Sequence, residues 1–323
     1  MRHDQIRMVA VGTATQDVFL VGGKIFTPYY ENGEDFTHIP LGEKLVMDDV
    51  VFASGGNAMN AAVTFARQGL YSEFIGFVGN DPAGLAIARE LDDEGVSTRS
   101  LHQEDHFKTS YSSILLAPNG ERTILRFYGS TRSLEAKDYD LSPLAEADWV
   151  YLSSVGSMEL LERCVTEAAK HGVQIAFNPG TAELTSPKKV LSLLEDVSVL
   201  ITNKDEMKKL VQGETMAELV RHAARLVPTV VISDGPNGAI ATDGQVVVEA
   251  GMYEDVAVTD RTGAGDAFGS GFVSHWAKGA PLEDAMTFAS ANSTSVVQHI
   301  GAKAGILHKG APLHDMPLKQ VAF

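Results

Sequence analysis

The chain has 323 residues, with 26 lysines and arginines against 42 acidic side chains and a formal charge of −16. Hydrophobic residues make up 44%, enough for a large core, so wholesale disorder is excluded, and the acidity argues against a general nucleic-acid binder. A single cysteine, Cys164, excludes an intrachain disulfide and any cysteine-type zinc cluster.

Met1 to Met8 lacks the long apolar stretch of a signal peptide, and no run approaches the roughly 20 apolar residues that cross a bilayer. A cytoplasmic protein without membrane contact is expected. The sequon at Asn292 to Thr294 falls inside a helical pattern and reads as chance. Met8 to Gly12 predicts a strand, Asn57 to Gln68 a helix, Phe74 to Gly79 a strand and Ala83 to Glu94 a second helix. Two regions break this rhythm. Residues 18–53 mix Gly, Pro and aromatics with alternating runs such as Lys44 to Met47, and residues 109–128 predict a hairpin around Pro118-Asn-Gly120.

From residue 145 onward, apolar runs at 149–152, 173–177, 198–201 and 229–233 alternate with helical patterns near 157–170, 187–195, 204–211 and 214–226. Strand and helix in alternation make crossover units, hence an α/β fold with a mostly parallel sheet covered on both faces. The interrupting strands predict a small β-sheet lid over the strand ends, although they could instead extend the main sheet. The expected division is a core of residues 1–17, 54–108 and 130–323, with a lid of residues 18–53 and 109–129.

The chemistry concentrates in Thr259-Asp-Arg-Thr-Gly-Ala-Gly-Asp-Ala-Phe268. Small residues at Gly263, Ala264 and Gly265 allow a tight turn, and a helix follows to about residue 278. Its first amides lack internal partners and form a hole for a phosphate or a developing negative charge. Asp266, in the first turn, could take a proton from a hydroxyl while those amides hold the phosphoryl group under attack. Taken alone, a motif of this kind is better explained by a helix cap and a glycine turn. Its weight comes from Ser54-Gly55-Gly56-Asn57-Ala-Met-Asn60, where two glycines open a helix and two asparagines follow a turn apart.

Together with Gly69 and Gly79, these segments resemble the paired signatures of the ribokinase/PfkB family of carbohydrate and nucleoside kinases. Gly12-Thr-Ala-Thr-Gln-Asp17, Asn178-Pro-Gly180, Asn203-Lys-Asp-Glu206 and Ser233-Asp-Gly-Pro-Asn-Gly238 follow in family order, so the similarity spans residues 8 to about 305. Arg261 departs from the pattern, where the family usually carries a small residue. The resemblance implies a three-layer ribokinase-like fold and ATP-dependent phosphoryl transfer. Asp266 would be the base, and Gly263, Ala264 and Gly265 the anion hole. Asp17, Gly55, Gly56 and Asn60 would hold the acceptor, and Asn203, Ser233, Gly235, Gly238, Ser290 and Asn292 the nucleotide. Magnesium would be held through water at Glu206, and a monovalent cation such as K+ at Asp260, Thr262, Val296 and Gly301. Arg261 could replace that cation or point to solvent.

There is no P-loop, since Gly22-Gly-Lys24 has the wrong spacing, and no His-Glu-x-x-His. Cys164 reads as a small core residue. Leu152 to Gly156 lacks the acidic residue of ribose-specific relatives. Arg126 and Arg132 are candidate clamps for a phosphorylated acceptor, and Phe26, Tyr29, Tyr30 and Phe36 for the wall of a nucleoside site. A sugar kinase leads, with a nucleoside kinase and a non-catalytic sugar-binding regulator as alternatives. A homodimer through the lid would cover its sheet edges.

Overall fold

The computed structural model describes residues 5–323, and the expectation about the chain's first residues therefore falls largely outside it. In chain order, β1 (Arg7–Val11) and β2 (Thr15–Val21) precede a short hairpin of β3 (Tyr29–Glu31) and β4 (Glu34–Phe36), then β5 (Asp49–Gly55). Helix α1 (Asn57–Arg67), β6 (Tyr71–Gly79), α2 (Pro82–Asp93), β7 (Leu101–Glu104), β8 (Ser110–Leu116) and β9 (Arg122–Phe127) follow. The middle of the chain alternates β10 (Trp149–Ser153), α3 (Met158–His171), β11 (Gln174–Asn178), α4 (Pro187–Leu193) and β12 (Val199–Asn203). Next come α5 (Lys204–Leu210), α6 (Met216–Ala223) and the strands β13 (Thr229–Ser233), β14 (Ala239–Thr242) and β15 (Val246–Ala250). Helices α7 (Ala264–Trp276) and α8 (Leu282–Val296) and strand β16 (Leu318–Ala322) complete the chain.

Ten strands form one sheet in the order β16-β15-β14-β13-β12-β11-β10-β1-β6-β7. The seven from β13 to β7 run parallel, and β14, β15 and β16 add antiparallel strands at one side. Strands this apolar on both sides need a helical layer on each face, and the side chains sort accordingly. Along β1, Met8 and Ala10 enter one core with Phe65, Phe272 and Met286, while Val9 and Val11 enter the other with Leu161, Leu200 and Val220. Cys164 is wholly buried in the second core, as a small apolar residue would be. Helix α3 shows how local sequence sets an element. Ser157 caps its start by accepting from Leu160 N–H at 3.3 Å, Leu160, Leu161, Cys164, Val165 and Ala168 form its buried stripe, and Gly172 ends it in the left-handed region.

From β1 the chain builds outward through β6 to β7, then returns to the other side of β1 at β10. The carboxyl ends of β1 and β10 therefore flank a topological switch point, where open α/β sheets hold their ligands.

A separate four-stranded sheet, β5-β2-β8-β9, stands over that edge. Its boundaries differ from the expected division. Thr15, Gln16 and Asp17, assigned to the core from sequence, lie in β2, and Ser54 and Gly55 lie in β5. Backbone pairing of β2 with both β5 and β8 takes these residues into the small sheet. Lys44 to Met47, despite its alternation, forms no strand, and β3 and β4 pair only with each other.

Candidate active site

Helix α7 begins at Gly263, whose φ of +79° is one that side chains with a Cβ rarely adopt. A Cβ there would lie 2.4 Å from the Ala302 methyl, so the turn is glycine for both conformation and space. Gly265 is different: a Cβ would meet nothing within 4 Å, and the residue is exposed to the cleft. Ala267 N–H closes the first helical bond to Gly263 O at 2.8 Å. The N–H groups of Gly265 and Asp266 find no acceptor among the described residues, an arrangement that could hold an anion.

Asp266 is joined to the other signature by a direct bond. Asn60 Nδ2 donates to Asp266 Oδ2 at 2.8 Å across 206 residues of sequence. Burial pushes the Asp266 carboxyl up to about 6, helped by the negative charge of Glu206, while the Asn60 bond and Lys303 pull the other way. A carboxylate with this affinity for protons, beside free amides, can accept a proton from an alcohol near neutral pH.

Asp17 projects from β2 toward the same space and is 7% exposed. Burial raises its carboxyl above the usual range, opposed by the Ser112 hydroxyl, Lys303 and Arg126. Gly55 is small because Asp17 is there: a Cβ would sit 2.1 Å from Asp17 Oδ2. Gly56 precedes α1, and the Asn57 side chain reaches across to Ser154 Oγ at 2.8 Å. Ser154, at the end of β10, holds a φ of +47°, a strained backbone at the switch point.

Lys303 is the residue that sequence reasoning missed. It is 5% exposed, bonds the Ser54 carbonyl, and lies 3.3 Å from Glu90 Oε1 and 3.5 Å from Asn60 Oδ1. Ser54 Oγ donates to Glu90 Oε2 at 2.6 Å, so a continuous polar chain runs Glu90–Lys303–Asn60–Asp266. Burial lowers the affinity of Lys303 for its proton, with Glu90 and Asp17 holding it charged. The only sequence signal was a lysine two places after Gly301.

On the other side of α7, Ser233, Gly235, Gly238 and Ser290 line one cleft together with Ala264 and Gly265. Lys204 Nζ ties Asp234 at 3.1 Å, fixing the loop. Asn203 and Glu206 cap α5 reciprocally, with Asn203 Oδ1 accepting from Glu206 N–H and Glu206 Oε2 from Asn203 N–H, both at 2.9 Å. Asn292 does not join them. Wholly buried, it donates to Ala267 O at 2.8 Å and accepts from Leu307 N–H at 2.9 Å, which makes it a strut between α7 and the chain beyond α8.

Of the residues expected around a monovalent cation, Asp260, Thr262 and Gly301 are joined through the Asp260 side chain. Asp260 Oδ1 accepts from Thr262 N–H at 3.0 Å and Thr262 Oγ1 at 2.7 Å, and Oδ2 accepts from Gly301 N–H at 3.0 Å. The Val296 carbonyl accepts from His299 N–H at 3.0 Å. Arg122, from the small sheet, brings its Nε to 3.9 Å from Asp260 Oδ1 and supplies positive charge there. Arg261 instead points outward, 3.6 Å from Glu121. The aromatics suggested for a nucleoside wall are also elsewhere. Phe26 is buried under Gly22, Tyr29 and Phe36 stack on each other, and Tyr30 is exposed.

A model of the pfkB family carbohydrate kinases matches residues 16–309. The ATP-dependent ribose-1-phosphate kinase of Halopiger xanaduensis is 27% identical over 255 residues, covering 78% of this chain and 83% of that one. The crystal structure of Arabidopsis thaliana ribokinase complexed with ribose and ATP superposes with a TM-score of 0.77 at 22% identity, covering 94% of this chain and 96% of that one. The nucleoside kinase of Methanocaldococcus jannaschii does so with a TM-score of 0.74 at 20% identity, covering 93% and 94%. The fold is the ribokinase fold, and the protein is a phosphotransferase with an alcohol acceptor. The chain belongs to the pfkB family of carbohydrate kinases.

Proposed function

We propose that the protein transfers the γ-phosphoryl group of ATP to a hydroxyl or hydroxymethyl group of a small carbohydrate. The observation that carries this reading is the 2.8 Å bond between Asn60 and Asp266, which brings an acceptor-side helix and an anion hole to one point. In this reading Asp17, Asn60 and the backbone at Gly55 and Gly56 hold the sugar hydroxyls, a carboxylate and amides being complementary to them. Asp266 takes the proton of the reacting alcohol as its oxygen attacks phosphorus. The amides following Gly263 then receive the negative charge that develops on the phosphoryl oxygens. Ser233, Gly235, Gly238 and Ser290 line the nucleotide's side of the cleft, with Asn203 at its edge.

Magnesium, when bound, would neutralise phosphate charge. Among the described residues no group of three acidic, histidine or cysteine side chains could hold a metal, which fits an ion carried mainly by phosphates and water, with Glu206 as its protein contact. A monovalent cation, when bound, would rest on backbone carbonyls around Asp260, whose side-chain hydrogen bonds fix that turn.

The small sheet serves as a lid and, we infer, as a dimer interface. Its outward face presents Phe52 at 72%, Leu125 at 57% and Phe127 at 53% exposure, an apolar surface that a second copy would cover. No helix among the described residues is long and apolar enough to cross a membrane, in keeping with a cytoplasmic enzyme.

The test is ADP release from MgATP with a panel of sugars, sugar phosphates and nucleosides. Turnover with a sugar supports the reading. Preference for a nucleoside would replace it, and tight sugar binding without turnover would favour a regulator.

A further inference from the structure

Beside Gly56 and Asn60, and lined by their neighbour Asn57, lies a cavity of about 740 Å³ that reaches from Thr13, Asn57 and Ser110 to Arg126, Tyr128 and Arg132. Strand register places Arg126 in one cross-strand row with Asp17 and Ser112. Its side chain thus leaves the sheet on the face that carries Asp17, two strand spacings or about 10 Å away. Arg132 arrives from the turn Gly129–Ser133. The two guanidinium carbons lie 5.0 and 4.0 Å from the centroid of the Tyr128 ring, which orients both planar groups. Among the described residues neither arginine has a carboxylate partner.

The acidic groups on the same wall are already engaged. Glu183 accepts from Gly156 N–H at 2.6 Å and Gly180 N–H at 2.9 Å, and Glu135 pairs with Lys137 at 2.5 Å. The start of α3 opens on this cavity through Gly156 and Ser157, adding the positive end of a helix. In a chain of net charge −16, two cations in a cavity without a salt bridge, Arg126 feeling only the more distant charge of Asp17, define a place for an anion.

We propose that the acceptor is a sugar monophosphate, with Arg126 and Arg132 gripping the phosphate it already carries. This rests on the kinase reading above, which puts the reacting alcohol at Asp266. Two guanidinium forks match a dianion in both charge and geometry. In the transfer, the acceptor oxygen bonds to the γ-phosphorus of ATP, the bond from that phosphorus to ADP breaks, and the alcohol proton passes to Asp266. The resident phosphate is untouched, and the product is a sugar bisphosphate.

The experiment compares ribose 1-phosphate and fructose 6-phosphate with ribose, fructose and gluconate, measuring ADP release. A phosphorylated sugar should exceed its neutral parent in kcat/KM by at least tenfold. In Arg126→Gln and Arg132→Gln that ratio should fall by about 10–100-fold, with Arg132→Lys recovering part of it. A ratio that does not change, or preference for a neutral sugar or for gluconate, overturns the proposal. Absence of ADP release with all five and with the nucleosides of the panel above would instead defeat the kinase reading. Calorimetric titration of the two phosphates then decides the clamp alone: binding that Arg126→Gln abolishes sustains it, and no binding to the unaltered protein rejects it.

Discussion

The two walls of the cleft are built from different material. Around α7 the contacts are backbone, with two free amides, a left-handed glycine at 263 and an open one at 265. On the side of the small sheet they are buried side chains, with Asp17, Asn60, Glu90 and Lys303 in one polar network. A wall of amides has fixed partial charges that no pH change removes. A wall of carboxylates and a lysine has charges that depend on one another, so a change at any member reaches the rest.

The largest expected effect joins both walls. Asp266→Asn should lower kcat by about 10²–10⁴-fold with little change in the KM for ATP, because it removes the proposed proton acceptor and spares the amides. Steady-state kinetics at saturating acceptor would show this, and an unchanged kcat would separate Asp266 from the chemistry. Next come the two glycines. Gly263→Val should cost about 2–4 kcal/mol of stability, since it forces both a positive φ and a clash with Ala302. Gly265→Ala should fold normally and raise the KM for ATP about tenfold. Equal loss of melting temperature in both would contradict the distinction drawn between them.

The networked wall is probed through pH. With the Asp266 carboxyl near 6, kcat/KM should fall as pH drops through that value, because protonated Asp266 cannot take the alcohol's proton. Lys303 stabilises the ionised form, so Lys303→Met should move this acid limb to higher pH, whereas Lys303→Arg should hold it in place. A limb that stays put in Lys303→Met would place the lysine outside the circuit.

The smallest effect is on stability. A carboxyl whose affinity for protons rises on folding opposes the folded state once it is ionised. The penalty is complete above about 6 and disappears as pH falls toward the ordinary aspartate range. Asp266→Asn should therefore melt higher than the unaltered protein at pH 8, by roughly 1–3 kcal/mol, and level with it near pH 4. Parallel melting curves across that range would show that burial of this charge costs nothing.

Legibility in the sequence followed the same divide. The backbone wall needs glycines at fixed spacing, and Gly263 to Asp266 announced it, as did the alternating apolar runs for the parallel sheet. Asn292 misled because a polar residue on a helix beside a nucleotide cleft gives no hint of its direction, and the helix turns it inward. Lys303 left no signature, because a charge buried by residues 54, 60 and 90 is created only by folding. Arg122 carried no sequence signal, and the face taken by Arg126, already a candidate clamp, is decided by strand register, which a hairpin prediction leaves open by one residue.

The chain crosses between the small sheet and the core four times, between Val11 and Thr15, at Gly56, between Glu104 and Ser110, and after Phe127. The first two passages lie beside the proposed sugar contacts, and Thr109 ties back to Asp81 at 2.7 Å. Two of the four crossings therefore coincide with the proposed sugar contacts. Because Asp17 belongs to this sheet, any movement of the sheet relative to the core would move one of the proposed sugar contacts with it.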